Sequence, residues 1–182
     1  MGRERTRVLA VHSADPVMAA LGSIGLAASM GTALLIDLAD SMGHGSRRTL
    51  ADLASEGPRL TEVSPGRRGV AVLRSGHLSV ADAAATVYDL AAHWPGVVVR
   101  LDAREWPGPI VPVRPLYPGW LAPTTSETSV WQKIPGGSSP TGPGPVLPLL
   151  RPATARRMLI GGLPAAGAWL RAWRPIWEMP WG

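Results

Sequence analysis

The chain of 182 residues contains no cysteine. That excludes disulfides, thiolate metal sites and a cysteine nucleophile. Phenylalanine is absent too, so eight tryptophans and two tyrosines carry the aromatic load. Lysine is almost missing: Lys133 is the only one, and the formal net charge of +5 is otherwise an arginine charge. Such a balance permits nucleic acid or anionic membrane as a partner. The arginines, however, are scattered in pairs (Arg47-Arg48, Arg67-Arg68, Arg156-Arg157). They read as solvated surface charge, and no specific nucleic-acid motif accompanies them. Abundant Arg, Ala, Gly and Pro with so little Lys points to a GC-rich bacterial genome, which concerns codons and not function.

What is present is enough for one domain plus an appendage. Hydrophobic residues make up 46% and charged residues 17%, so most of the chain can bury a core. Of the 21 glycines and 19 prolines it is the prolines that gather in the second half, which is expected to be loop-rich.

One stretch, Val17 to Ile36, carries no charge and has the length of a membrane-spanning helix. Much of it is Ala, Gly, Ser and Thr, which contribute little to insertion. Gly31-Thr32 interrupts it, and Asp15 and Asp37 stand at its edges. A helix followed by a buried strand explains the same residues, with a single-span membrane protein as the alternative. The stretch starts too late for a signal peptide and ends in no clear cleavage site. The expected location is therefore cytoplasmic, with peripheral contact at the inner face of the membrane as a variant.

Local patterns predict alternating strands and helices. Residues 7–12 read as a buried strand. Ser13 or Asp15 caps a helix that begins at Pro16 and runs to about residue 30, where Gly31 stops it. Residues 33–38 form a second strand, apolar on both faces as in a parallel sheet. Ser46 to Glu56 reads as a short amphipathic helix. A third strand follows at 70–73, a helix from Ser79 to His93, and a fourth strand at 97–101. Residues 110–113 form a fifth, which Pro112 confines to an edge. The expected fold is α/β, a parallel doubly wound sheet of about five strands. The domain reading is 1–115 for this unit, 116–148 for an irregular Gly/Pro-rich segment, and 149–182 for a helical Trp/Arg-rich region. Pro135 to Pro148 cannot hold a helix or a central strand.

The stretch VLAVHSADPVMAALGSIGLAASMGTALLIDLAD, followed in order by RRTLADLASEG, GVAVLRSG and VVVRLDA, resembles the MinD/ParA group of P-loop ATPases. That group includes the CpaE-like septum- and pilus-associated proteins. The resemblance covers roughly residues 7 to 103 and rests on order and pattern. It implies a nucleotide-binding-type domain, with phosphate held in the loop after the first strand. Here that loop has changed. The glycines that let backbone N–H groups close on phosphate are replaced by Asp15-Pro16-Val17-Met18, and Pro16 has no N–H. Ala19 or Ala20 stands near the lysine position and Leu21 near the Mg²⁺-holding hydroxyl position. Asp15 would repel phosphate. Of the acidic positions, Asp37 matches the first aspartate of the strand-end pair; Ala39 replaces the second, and Asp40 follows one residue late. On the fourth strand Arg100 occupies the metal-side aspartate position, with Asp102 two residues on. Asp37, Asp40 and Asp102 are the cofactor candidates; the ordinary reading of Asp37 and Asp102 is as strand-end residues facing solvent or capping a turn.

Among the four histidines no pair has metal-ligand spacing, and no metal site is expected. His44, in a loop near Asp37 and Asp40, is the one histidine that could join a hydrolytic or metal site; a loop histidine without a catalytic partner is ordinarily plain surface. Trp169, Trp173, Trp177 and Trp181 recur every four residues, a stripe if helical, although Pro175 and Pro180 favour extended final turns. They either fold back as core in place of phenylalanine or, with Arg171 and Arg174, bind a partner or an anionic membrane surface.

These readings lead to a non-catalytic MinD/ParA-like protein: a regulatory or scaffolding partner in septum placement, pilus or secretion assembly. It has a protein partner and needs no cofactor. The alternative is a divergent ATP-binding enzyme that uses Asp37 and Asp102 for Mg²⁺.

Overall fold

The computed structural model describes residues 7–43, 45–60, 69–120, 124–164 and 166–181. His44 and the Arg67-Arg68 pair lie outside the described residues. The elements alternate as the patterns predict: β1 (Arg7–His12), α1 (Pro16–Met30), β2 (Thr32–Asp37), α2 (Leu50–Glu56), β3 (Gly69–Arg74), α3 (Val80–Ala91), β4 (Gly96–Arg100) and β5 (Ile110–Leu116). Three further strands-and-helices groups follow: β6 (Val130–Lys133) and β7 (Val146–Leu147); α4 (Pro152–Leu159) and α5 (Ala168–Trp173); and a 3₁₀ helix at Arg174–Glu178.

Among the described residues the sheet has seven strands, all parallel, in the order β3-β2-β4-β1-β5-β6-β7. The expected count of about five was too low. The two extra strands come from the segment read as irregular. β6 lies between β5 and β7 and so is an interior strand, but it precedes Pro135; β7, within Pro135 to Pro148, is a two-residue edge strand, so that stretch supplies pairing without a central strand.

β5 is not an edge, contrary to the expectation from Pro112. It lies between β1 and β6, and stagger makes room for its prolines. Pro112 pairs with His12 of β1, before β6 comes alongside at Val113. Pro115 pairs with Gln132 of β6, after β1 has ended. Each proline stands where only one neighbouring strand is alongside, so its missing N–H interrupts little of the ladder.

Each central strand buries both faces. Leu9, Val11, Ala33, Leu35 and Val98 point to one core; Val8, Ala10, Leu34, Ile36, Val97 and Val99 point to the other. α2 and α3 cover the second core. α1 covers the first and is itself covered by α4, α5 and the 3₁₀ helix.

This layering explains the membrane-like stretch. α1 is buried nearly all round because it lies between the sheet and a layer of tryptophans. Its small residues allow the close approach: a Cβ on Gly25 would fall 2.5 Å from both Trp169 and Trp173. Gly31, at φ 86°, ends the helix and turns the chain into β2. No described helix is long and apolar enough to cross a membrane.

Trp169, Trp173 and Trp177 are thus core. Trp173 is 1% exposed, Trp169 donates to Gln132 Oε1 at 2.7 Å, and Trp177 donates to the Leu26 carbonyl and Ser29 Oγ. Trp181 is half-buried and donates to the Ile176 carbonyl. The last turns are a 3₁₀ helix and not extended, because Pro175 falls in its first turn, where no N–H is required. α2 also starts later than expected, at Leu50, where Thr49 and Asp52 close a capping box.

Candidate functional site

β1 is the point where the order of the sheet reverses. From it the chain passes through α1 to β2 on one side, and β5 lies on its other side. In open α/β sheets the crevice beyond the carboxyl ends of the strands, at such a switch point, is where ligands bind. The loop after β1, the ends of β2 and β4, and β5 all meet there.

Asp15 sets the first half of the site. It is the N-cap of α1, and one carboxylate oxygen accepts from Val17 N at 2.8 Å and Met18 N at 3.0 Å. Its other oxygen accepts from the Tyr117 hydroxyl. A helix N-terminus offers free N–H groups and partial positive charge, the features that hold a phosphate. Here the chain's own carboxylate occupies them.

Arg100 sets the second half. Register places it beside Asp37 on the neighbouring strand and next to Val11 of β1. Asp37 is fully buried and Arg100 is 3% exposed. The two form an ion pair at 3.2 Å, and the other Asp37 oxygen accepts from Met42 N at 2.8 Å. Arg100 also donates to Ser41 Oγ and to the Pro16 carbonyl, which ties the pair to the start of α1. The space beside it, about 180 Å³, is walled mostly by apolar side chains, among them Val17, Met42 and Leu159. Asp37 therefore does not face solvent; one of its oxygens caps the turn that follows β2 and the other holds Arg100. A guanidinium is the cation that stands against it.

Asp40 is also engaged. At φ 48° it turns its carboxylate onto Ser75 N and His77 N, clamping the loop after β2 to the loop after β3. Asp102 is exposed beyond the end of β4. Among the described residues no group of three His, Asp or Glu side chains is placed to hold a metal ion.

No family model, curated protein or solved structure matches this chain. The reading of the site therefore rests on its geometry.

On the β5 side of Asp15 a pocket of about 500 Å³ opens, lined by His12, Asp15, Arg104, Arg114, Tyr117 and Trp120 among others. Arg104 and Arg114 both pair with Glu127, and Arg114 Nε donates to Ser129 Oγ. Burial, with Arg104 and Arg114 nearby, lowers His12 below the usual histidine value against an opposing effect of Asp102, so His12 is neutral at neutral pH. Tyr117 is pushed up to about 12, first by burial and then by the hydrogen bond it donates to Asp15 and the charge of that carboxylate. Apart from Asp15, sequence reasoning passed over these residues. Their only signal was position: the loop after β4 and the far end of β5 both border the switch point.

The C-terminal candidates divide. Arg171 and Arg174 are exposed, while Trp169, Trp173 and Trp177 are not. Leu159 and Ile160, at the end of α4, are exposed beside Arg156 and Arg157.

Proposed function

We propose that this chain is a non-catalytic relative of the MinD/ParA-type ATPases, serving as a regulatory or scaffolding partner in septum placement, pilus or secretion assembly. The relationship rests on the order and pattern of residues 7 to 103, and an all-parallel sheet is compatible with it. The observation that carries the non-catalytic reading is that the chain's own side chains fill both poles of the site. Asp15 lies on the α1 amides and Arg100 lies against Asp37. Phosphate would have to displace a carboxylate, and Mg²⁺ a guanidinium. The divergent-enzyme alternative would require Asp37 to leave Arg100, and it finds no support in that geometry.

A protein partner docks on the arginine-rich layer over α1. Residues 149–182 carry Arg151, Arg156, Arg157, Arg171 and Arg174 against the single acid Glu178. This imbalance, with exposed Leu159 and Ile160, also favours a second reading, peripheral contact with an anionic membrane through the same surface. The buried tryptophans take no part in either contact.

Phosphate release from Mg·ATP tests the first statement: the expected rate equals the protein-free blank, and turnover abolished by Asp37→Asn would refute it. Co-sedimentation with anionic vesicles tests the second. Sedimentation that high salt reverses and Arg156→Glu/Arg157→Glu abolishes supports it; no sedimentation at low salt removes it.

A further inference from the structure

We infer that the pocket at the carboxyl ends of β1 and β5 binds a small planar aromatic carboxylate. One wall is aromatic and open to solvent: Tyr117 is 38% exposed and Trp120 is 41% exposed. Most of the other tryptophans are drawn into cores, so a lone indole at the switch point is out of character for this chain. Planar rings stack on such surfaces.

The guanidinium donors of the pocket select the second half of the ligand. Arg104 and Arg114 converge on one carboxylate, Glu127, which leaves one formal positive charge. Among the described residues Arg114 engages Nε and Nη2 out of a five-donor guanidinium. Spare donors in a planar fork suit a carboxylate. Asp15 borders the same pocket and formally offsets that charge, but both its oxygens are engaged, by the α1 amides and the Tyr117 hydroxyl, whereas the arginines keep donors to offer. Asp102 is solvent-exposed, and neutral His12 adds a hydrogen-bonding group without charge. A phosphate dianion fits less well: the N–H groups that would hold it are occupied, and two aspartates stand near.

A volume of about 500 Å³ lies within the usual range for small-molecule sites. The inference stands apart from the non-catalytic reading, since it requires neither ATP binding nor its absence.

The test is an NMR titration of indole-labelled protein with naphthalene-2-carboxylate and, separately, with its neutral amide. The carboxylate is expected to shift the Trp120 indole resonance saturably, with the amide at least about ten-fold weaker. Trp120→Ala, followed through the other indoles, and Arg104→Gln should each weaken the carboxylate by about ten-fold or more. Both side chains are well exposed, so unchanged far-UV circular dichroism is expected of the variants. If a variant fails to fold, Tyr117→Leu, which removes the other ring of the wall, read by the same resonance takes its place, with a weaker carboxylate again expected. No saturable shift of Trp120, equal affinity for the amide, or binding indifferent to these substitutions would overturn the inference.

Discussion

At Arg100 a guanidinium and a carboxylate are removed from water together, and neither could be buried alone. Replacing one partner leaves the other charge unpaired in the interior, which costs about 3–5 kcal/mol, whereas replacing both with apolar groups of similar size is often neutral. Arg100→Met is therefore expected to be strongly destabilising in urea unfolding, and Asp37→Leu combined with it to recover most of the loss. A double variant as unstable as the single one would show that Arg100 acts through Ser41 and Pro16 and not through Asp37. The Tyr117–Asp15 contact gives a pH signature. Tyr117 has a raised pKa in the fold, so its contribution is fully present below the unfolded value near 10 and is lost as pH rises through about 12. Stability should fall over that window, and Tyr117→Phe should flatten the fall; identical profiles would contradict the assignment. Neither contact could be read from local pattern. Asp15 and Tyr117 are 102 positions apart, and the pairing of Asp37 with Arg100 depends on β2 and β4 being neighbours in register.

The element most dependent on its neighbours is α1. Its ends were legible, because Asp15, Pro16 and Gly31 are cap, first-turn and stop residues with local physical causes. Its surroundings were not: a small-residue, uncharged helix suits a membrane or a fully buried position equally well, and only the tryptophan layer decides. Gly25 marks that contact. A Cβ there meets two indoles that are held on all sides, an overpacking of about 1–3 kcal/mol, which the helix gain of Ala over Gly, about 1 kcal/mol, does not offset. Gly25→Ala should lower the unfolding midpoint, and Trp173→Ala should cost about 3–5 kcal/mol as a cavity. A neutral Trp173→Ala would mean that the α5 layer detaches from the sheet. β6 and β7 escaped sequence reading for a different reason. Strands of four and two residues set among prolines have little pattern of their own, and their pairing with β5 is a tertiary event.

For the whole molecule, the alternation of strands and helices carried the fold class as far as β5, because parallel strands buried on both faces must be apolar runs. It could not carry the site. The absence of a glycine-rich, lysine-bearing stretch after β1 pointed to a loop unlike one that cradles phosphate; that Asp15 lies on the α1 amides and Arg100 against Asp37 became visible only in three dimensions. The closed site is the central claim, and thermal unfolding with and without millimolar Mg·ATP tests it most directly. A ligand bound only by the folded state at about a hundred times its dissociation constant stabilises by about 2.7 kcal/mol, a shift of roughly 5–10 °C for a chain of this size. The closed site predicts no shift. A shift of several degrees that saturates with nucleotide would mean that Asp15 and Arg100 yield to phosphate and metal, and would contradict the account.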